Sequence, residues 1–328
     1  MTTHAVIGTG YWGTNHVRVG AELMESDVFD DLLLCDVAED RVSELAASYG
    51  VDYVTDHAEL AEQGADTAVV ATPSTTHQPI ATDLLKAGID CLVEKPLALD
   101  AASAWDIVDT AEREGQTLGV GHIFRYHPAL QELKRRVDRG ELGQIKYLTT
   151  NRYAFREPRD TTGVLYSLAV HDVDIYSYLM GTLPEAVYCR LDRHIRSDID
   201  ETATLIMEYG NATGVINESW QVPVFGKKRD LVVVGTEGAA YVDYLADTKL
   251  ELFDAKVVKM DGTLRARDGG GITHEVAGHE PLKMEVEAFI EAVNGEEDPP
   301  ASGHVGAKAV ELLELAERSD EANQTIQL

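Results

Sequence analysis

Two residues of this sequence could act together on the proton of an alcohol. Lys95 follows the apolar run CLV and precedes Pro96, whose ring restricts the backbone and so directs the lysine side chain. His171, followed by Asp172, stands at the start of a predicted helix. A lysine with a depressed pKa can accept the proton, and a histidine can relay it outward. We therefore predict Lys95 as a general base and His171 as its catalytic partner; the alternatives are a surface charge and a helix-capping histidine.

A glycine-rich turn near the start could hold a nucleotide. Gly8, Gly10 and Gly13 form the pattern GTGYWG between an apolar and an amphipathic segment. At such a strand-to-helix turn the glycines permit a tight corner, close approach of a pyrophosphate and close packing of helix on strand. Asp36 closes the next apolar segment roughly 20 residues later, where a carboxylate accepts ribose hydroxyls and repels a 2′-phosphate. We therefore predict NAD in preference to NADP. The alternatives are that the glycines form only a structural turn and that Asp36 is a helix N-cap. Arg41 is expected on a solvated helix face, and a role in binding NADP is its alternative.

Two later apolar segments are predicted to complete the cofactor site. They end in ATPSTTH and EKP, and ligands collect where the strands of a parallel sheet end. The predicted cofactor-binding residues are Gly8, Gly10, Tyr11, Trp12, Gly13, Asp36, Thr72, Pro73, His77, Glu94 and Lys95.

The elements that carry these residues fall into two patterns. Through residues 1–124, short apolar runs such as LLLCDV alternate with amphipathic segments, which predicts an α/β, Rossmann dinucleotide-binding domain with a parallel sheet. From residue 125 the strands are longer and alternate with period two, which predicts an α+β domain over 125–328 with a large, mostly antiparallel sheet. The helix near 304–318 could pack back on the first domain, and RARDGGGITHE (265–275) is predicted to be a mobile loop.

Composition excludes several classes of partner. The chain carries 57 Asp and Glu against 28 Lys and Arg, a formal net charge of -29. Such a surface repels phosphate backbones and anionic lipids, so neither nucleic acid nor a membrane is predicted as a partner. We see no signal-peptide pattern and no apolar run near the ~20 residues of a membrane span. Cys35, Cys91 and Cys189 form no CxxC motif, which predicts neither a disulfide framework nor a zinc site and favours the cytoplasm.

The sequence lacks the motifs of two other kinds of active site. His122, His127 and His171 do not form an HExxH pair, so no metal is predicted. The sequence has no GxSxG elbow, which disfavours a serine hydrolase.

The excess of acidic residues leads to a prediction about salt. The chain is 44% hydrophobic, which argues against disorder, so the acidic residues are expected to coat a folded, halophilic enzyme. We expect the midpoint of thermal unfolding to rise strongly between dilute buffer and molar KCl, because salt screens the repulsion among carboxylates. A midpoint that does not change with KCl would contradict this.

These motifs resemble those of the Gfo/Idh/MocA oxidoreductases, the glucose-fructose oxidoreductase and inositol dehydrogenase family. The resemblance spans nearly the whole chain and depends on GTGYWG, Asp36, ATPSTTH, EKPLALD and His171-Asp172. A narrower likeness, in GYWGTNHVR, in residues 121–152 and in VLYSLAVHDVDIYSYLMG, is to nucleotide-sugar 3-dehydrogenases that oxidise UDP-N-acetylglucosamine or its uronic acid. Free-sugar and polyol dehydrogenases of the family usually carry an aspartate four residues before the helix histidine. Ser167 at that position agrees with the nucleotide-sugar group.

The resemblance implies a function for each domain. The second domain is expected to supply the substrate wall and the interface of a homodimer or homotetramer. A cationic group in so acidic a chain suits a diphosphate or uronate, although ion pairs with surface carboxylates and structural roles are alternatives. Asp172 is expected to cap a helix or to orient a neighbour. The predicted substrate-binding residues are Lys95, Arg125, Tyr126, Arg152, Tyr153, Arg156 and His171.

The function implied is NAD-dependent oxidation of a sugar hydroxyl at C3 of a UDP-N-acetylhexosamine or its uronic acid. A dehydrogenase of free sugars or inositols is the main alternative. An NAD-dependent glycosidase and a non-catalytic NAD-binding regulator are further alternatives, and net production of NADH would argue against both.

Overall fold

The chain folds into two compact units. The computed structural model describes residues 2–159, 161–224, 226–295 and 297–328. The first unit comprises Met1–Ile123 and Glu280–Glu311, and the second comprises Phe124–His279 and Leu312–Leu328. The chain first passes between units one residue before the boundary predicted after residue 124.

The first unit contains a parallel sheet between two helical layers. Its strands are β1 (Thr3–Ile7), β2 (Asp31–Cys35), β3 (Asp52–Val54), β4 (Ala65–Val70), β5 (Asp90–Val93) and β6 (Leu118–Val120). Its first four helices are α1 (Gly13–Glu25), α2 (Glu39–Tyr49), α3 (His77–Lys86) and α4 (Ala101–Glu114). Among the described residues the strand order is β3-β2-β1-β4-β5-β6. Side chains alternate across the sheet, so Ala5 and Ile7 pack in one apolar core and Val6 in the other.

The second unit contains a large, mostly antiparallel sheet with helices on one face. Its helices are α5 (Pro128–Asp138) and α6 (Val170–Met180). Its strands are β7 (Ile145–Tyr153), β8 (Ala186–Asp192), β9 (Thr202–Tyr209), β10 (Ala212–Ser219), β11 (Lys228–Gly235), β12 (Ala239–Asp243), β13 (Lys249–Met260), β14 (Thr263–Glu275) and β15 (Ile326–Gln327). In the part of the chain described, the order is β14-β13-β12-β11-β7-β10-β9-β8-β15, and only β7 and β10 pair in parallel. The predicted fold class is confirmed for both parts of the chain.

The two faces of this sheet differ in burial. Leu148, Thr150 and Arg152 of β7 are buried on the face against which α6 packs; we call this the covered face. Tyr147 and Tyr153 alternate with them and lie on the more accessible face, which we call the exposed face.

Helix α7 (Pro281–Asn294) belongs to the first unit, together with the first part of α8 (Gly303–Ala322). The predicted boundary places both helices in the 125–328 domain, with only the helix near 304–318 expected to pack back on the first domain. Val286 and Phe289 of α7 are buried in the same apolar core as Val17 of α1, and this burial holds α7 in the first unit. An amphipathic pattern shows that a helix packs on something, but it does not show which unit supplies the partner.

The prediction of a mobile loop at residues 265–275 is wrong, because this segment lies in β14. β13 and β14 form a long hairpin that turns at Asp261 and Gly262, which have φ values of 50 and 79 degrees. Asp-Gly with positive φ is typical of a tight hairpin turn. A Cβ on Gly271 would lie 2.8 Å from the ring of Phe253, so this glycine fits against the partner strand.

Three further features concern the described residues only. None of their helices combines the length and apolarity that crossing a membrane requires. No group of three or more His, Cys, Asp or Glu side chains among them is arranged to hold a metal ion. Cys35, Cys91 and Cys189 are buried free thiols.

Candidate active site

The glycine-rich turn joins β1 to α1 and has the geometry of an anion-binding corner. Gly8 has a φ of +88 degrees, and a Cβ there would lie 2.8 Å from the carbonyl oxygen of Ala71. A Cβ on Gly13 would lie 1.7 Å from the carbonyl oxygen of Gly8, so only glycine lets the helix begin this close to the strand. No atom lies within 4 Å of the Cβ position of Gly10, which leaves its backbone accessible. The turn therefore provides the tight corner, the close packing and the open backbone that a pyrophosphate requires.

Asp36 follows β2 and remains ionised. Its Oδ2 accepts hydrogen bonds from the backbone N and Oγ1 of Thr9, at 2.6 and 2.9 Å, and its Oδ1 accepts one from the backbone N of Ala38 at 2.9 Å. Burial raises the pKa of Asp36, but these bonds and those from Arg41 outweigh burial and lower it. Asp36 is not the N-cap of α2, because that position is Ala38.

Arg41 contacts the same carboxylate. Its Nη2 donates to both oxygens of Asp36, at 2.6 and 2.7 Å, while 52% of the side chain is exposed. Arg41 lies exposed on helix α2, as predicted, and in addition pairs with Asp36. The pair places a carboxylate and a half-exposed cation side by side next to the glycine-rich turn.

Glu94 connects the end of β5 to the start of α1. Its Oε1 accepts hydrogen bonds from Nε1 of Trp12 and, at 2.8 Å, from Nε2 of His16. Burial raises the pKa of Glu94, but the bond and charge of His16, the charge of Lys95 and the bond from Trp12 hold it below its ordinary value. A Cβ on Gly121 would lie 2.9 Å from Oε2 of Glu94, so glycine leaves room for the carboxylate. Glu94 thus acts as a buried, charged anchor for the glycine-rich turn.

His77 joins the loops that follow β4 and β5. Its Nδ1 and Nε2 each lie 2.9 Å from a carbonyl oxygen, that of Pro96 and that of Thr72 respectively. The imidazole is buried, and burial lowers its pKa. These contacts position the two loops, whereas Pro73 is exposed at the same edge.

Lys95 lies directly after β5 at the carboxyl edge of the sheet. Because β5 pairs with β4 and β4 pairs with β1, the three loops that leave these strands lie side by side. The side chain of Lys95 is partly buried, and its backbone N donates to Oε2 of Glu94 at 3.2 Å. The structure thus brings together the predicted cofactor-binding residues of the first unit.

In the second unit, Arg152 and Asp172 form a buried ion pair. Their side chains are 1% and 0% exposed, Nη2 of Arg152 donates to Oδ1 of Asp172 at 3.2 Å, and Nε donates to Oδ2. Cζ of Arg152 lies 4.3 Å from the ring centroid of Phe124 and 4.6 Å from that of Tyr244. Burial lowers the pKa of Arg152, but the charge of Asp172 outweighs burial and raises it. Asp172 therefore orients a neighbour rather than capping a helix.

His171 precedes this aspartate on α6 and contacts the same aromatic group. Its ring packs edge-on against Phe124, with centroids 5.0 Å apart. Helix α6 follows a π-helical turn, Leu165–Ala169, and its N-cap is Ala169, so His171 is not the capping residue. Ser167 is buried in the π-helical turn, with its Oγ 3.0 Å from Oγ1 of Thr162.

The remaining predicted substrate residues do not all come together. Arg125 forms an ion pair with Asp174, with its Nη2 2.7 Å from Oδ1. Tyr126 is buried, and its carbonyl accepts a hydrogen bond from a ring nitrogen of His279. These contacts give both residues structural roles in the second unit.

Arg152, Tyr153 and Arg156 also separate from one another. Arg152 lies on the covered face and Tyr153 on the exposed face, because neighbouring side chains of a strand alternate. Arg156, beyond the strand, is exposed with its Cζ 5.4 Å from the ring centroid of Trp220. Of the three, Arg156 is the one that is exposed to solvent, and it lies beyond the end of β7.

Several residues at these positions were not found from the sequence. They are Thr9, which binds Asp36; His16, which binds Glu94; and Phe124 and Tyr244, which enclose Arg152. His16 follows Trp12 by one helical turn, so both side chains reach one face of α1 and one carboxylate. That spacing was a usable signal, whereas the enclosure of Arg152 depends on long-range packing.

The fold of the first unit and its glycine-rich turn define a Rossmann-type, dinucleotide-binding oxidoreductase. A family model described as an oxidoreductase family with an NAD-binding Rossmann fold matches residues 2–122, and a model of the same family's C-terminal domain matches residues 130–241. The chain belongs to the Gfo/Idh/MocA oxidoreductase family. It is an NAD(P)-dependent dehydrogenase that acts on CH–OH groups.

Two relatives and one solved structure illustrate the range of similarity. UDP-N-acetylglucosamine 3-dehydrogenase of Acidithiobacillus ferrooxidans is 30% identical over 88% of this chain and 87% of that protein. Myo-inositol 2-dehydrogenase of Thermotoga maritima is 27% identical over 98% of this chain and 97% of that protein. A structure of the Acidithiobacillus ferrooxidans enzyme matches with a TM-score of 0.81 at 25% identity, covering 98% of both chains.

The residues of the first unit fit NAD. The open backbone at Gly10 and the space that only glycine leaves at Gly8 and Gly13 suit a pyrophosphate, and the ionised Asp36 suits a ribose diol. When bound, the nicotinamide accepts a hydride from the alcohol carbon. The chain's own residues must hold the cofactor, orient the alcohol and remove its proton.

Proposed function

We propose that this protein oxidises C3 of a UDP-N-acetylhexosamine, or of its uronic acid, with NAD. The observation that carries the proposal is Ser167, a buried hydroxyl at the position where the family resemblance implies an aspartate in free-sugar and polyol enzymes. Its Oγ lies 3.0 Å from Oγ1 of Thr162, and a serine hydroxyl does not supply the charge that an aspartate would offer to a sugar diol. The 30% identity to the UDP-N-acetylglucosamine 3-dehydrogenase supports the same conclusion.

In this proposal Lys95 is the general base and His171 relays the proton. Lys95 is partly buried at the sheet edge where the loops after β1, β4 and β5 lie side by side. His171 is held by Phe124 and by its place beside the Arg152–Asp172 pair. Removal of the hydroxyl proton must accompany loss of hydride from the same carbon, and a positioned base accelerates that step by about 10²–10⁴.

We propose NAD rather than NADP as the preferred cofactor. The ionised Asp36 would repel a 2′-phosphate, and its pairing with Arg41 keeps that cation from presenting a free charge. We further propose a homo-oligomer, dimer or tetramer, that uses the exposed face of the second-unit sheet, and a cytoplasmic location in keeping with three buried free thiols.

The first experiment follows absorbance of NADH in concentrated KCl, with NAD or NADP offered against UDP-sugars, free sugars and inositols. We expect reduction of NAD with a UDP-N-acetylhexosamine or its uronate, and identification of a 3-keto product would complete the assignment. A faster reaction with NADP would contradict the proposed cofactor preference.

A dehydrogenase of free sugars or inositols is the second candidate. The 27% identity to the myo-inositol 2-dehydrogenase covers 98% of this chain, a larger share than the match to the nucleotide-sugar enzyme. Turnover with free sugars or inositols alone would establish this candidate and exclude the first. If no substrate in the panel gives NADH, the next assays would test glycoside hydrolysis and cofactor binding without turnover.

A further inference from the structure

Arg229 occupies an unusual position on the covered face of the second-unit sheet. It pairs in register with Arg152 across the antiparallel strands β7 and β11, so two arginines are directly opposed. Like charges at opposed positions destabilise a sheet. Asp172 forms the ion pair with Arg152, and the buried Glu218 lies opposite Arg152 on its other side; the charges of both carboxylates also act on Arg229.

Two more basic side chains interact with Arg229, and a third interacts with one of them. Arg156 and Lys227 interact electrostatically with Arg229, and Arg159 interacts with Arg156. We call Arg156, Arg159, Lys227 and Arg229 the cationic cluster. Burial, followed by the charge of Arg152, lowers the pKa of Arg229 although the charges of Asp172 and Glu218 oppose this, and the charge of Arg229 lowers the pKa of Lys227. These groups therefore repel one another as they stand.

No carboxylate of the described residues forms an ion pair within 4.0 Å with any member of the cationic cluster. This is unexpected in a chain with 57 acidic and 28 basic residues, where most cations could find an acidic partner. The neighbouring Lys228, on the exposed face, does so: its Nζ lies 3.1 Å from Oδ2 of Asp230. Thus the fold pairs one lysine of this segment and leaves the cationic cluster without such neutralisation.

The cluster is also accessible and partly held in place. Arg156, Arg159 and Lys227 are exposed, Arg229 is partly buried, and Arg156 packs over the ring of Trp220. A group of like charges that is kept together and exposed to solvent can gain stability from a multivalent anion.

We propose that the cationic cluster binds the diphosphate of the nucleotide-sugar substrate, with Arg229 as the central contact. The inference rests on the proposed function and names the residues that select its substrate class. The cluster has three guanidinium groups and one ammonium, more cationic donors than one carboxylate can pair with. A diphosphate has several anionic oxygens, which can accept paired hydrogen bonds from several arginines. Lys227, Arg159 and Arg229 were not among the substrate residues predicted from the sequence.

The test measures binding of UDP alone by calorimetry, at the lowest KCl concentration that keeps the protein folded, because salt screens such contacts. We expect Arg229→Gln and Arg156→Gln each to weaken UDP binding by about tenfold to a hundredfold, the effect of losing a hydrogen bond to a charged group. Arg265→Gln, an exposed arginine on β14, removes the same charge outside the cluster and should leave UDP binding unchanged. The midpoint of thermal unfolding checks that each variant is folded, because NADH binds in the first unit and the cluster lies in the second. Arg156 provides an exposed position if Arg229→Gln proves unstable.

The outcomes separate this inference from the proposed function. Turnover of a UDP-sugar by the wild type, with unchanged UDP affinity in both cluster variants, would overturn the inference and leave the function standing. Binding of a free hexuronate but not of UDP would overturn the diphosphate assignment. The protein could instead turn over only free sugars while both cluster variants weaken UDP binding. That result would support the anion site and overturn the proposed function.

Discussion

Lys95→Ala is expected to lower turnover by about 10²–10⁴ while leaving NAD binding close to that of the wild type. The loss follows because the hydroxyl proton would then leave without a positioned base. NAD affinity should persist because the packing of the glycine-rich turn and the hydrogen bonds from Thr9 to Asp36 and from His16 to Glu94 do not use the lysine side chain. The measurement is steady-state NADH formation together with titration of NAD or NADH.

Two further variants sharpen this prediction. Lys95→Arg retains a positive charge but cannot act as a base near neutral pH, so it should lose activity as Lys95→Ala does. If the lysine served only to attract the substrate, Lys95→Arg would keep most of the turnover. Lys86→Ala, in the last turn of α3, removes an equivalent charge away from the sheet edge and should have wild-type kinetics. Near-normal turnover in Lys95→Ala would remove this residue from the mechanism.

Asp172→Asn is expected to lower the free energy of unfolding of the second unit by about 3–5 kcal/mol. The substitution keeps the size of the side chain but leaves the guanidinium of Arg152, which is 1% exposed, without its neutralising carboxylate. Phe124 and Tyr244 enclose the same guanidinium and prevent it from reaching water without repacking. Denaturant titration with peptide-resolved hydrogen exchange would locate the loss in the second unit.

The matched comparison is an exposed ion pair. Asp198→Asn removes the carboxylate that Arg196 binds at the surface, and we expect no measurable change in the unfolding midpoint. The double variant Arg152→Met with Asp172→Leu should recover most of the lost stability, because it removes both charges and refills the volume. An unfolding midpoint equal to that of the wild type in Asp172→Asn would show that another group neutralises Arg152.

The first unit was largely predictable because its signals are local. Gly8, Gly10 and Gly13 each have a backbone or packing requirement that holds wherever a strand turns into a helix around a phosphate. Asp36 lies at the next strand end, and chain connectivity alone brings the ends of parallel strands to one edge of the sheet. Local periodicity was therefore enough to indicate both the fold class and the cofactor-binding edge.

The second unit depended on contacts that local patterns do not carry. Arg152 was predicted to meet substrate, but packing against α6 makes it half of a buried ion pair with Asp172. The glycines of β14 indicated a loop until the partner strand β13 supplied the surface on which they fit. Likewise α7 has an amphipathic pattern, and only the apolar core that it meets assigns it to the first unit.

Local sequence is enough to predict the Rossmann alternation, the glycine-rich turn, Asp36 and the strand-end Lys95, because each arises from residues close together along the chain. Folding in space sets which charges pair: Asp172 pairs with Arg152 and Arg41 with Asp36, while no described carboxylate forms an ion pair with Arg229. Coulomb interactions depend on distance and burial, and register across β7 and β11 sets both for residues far apart in the chain.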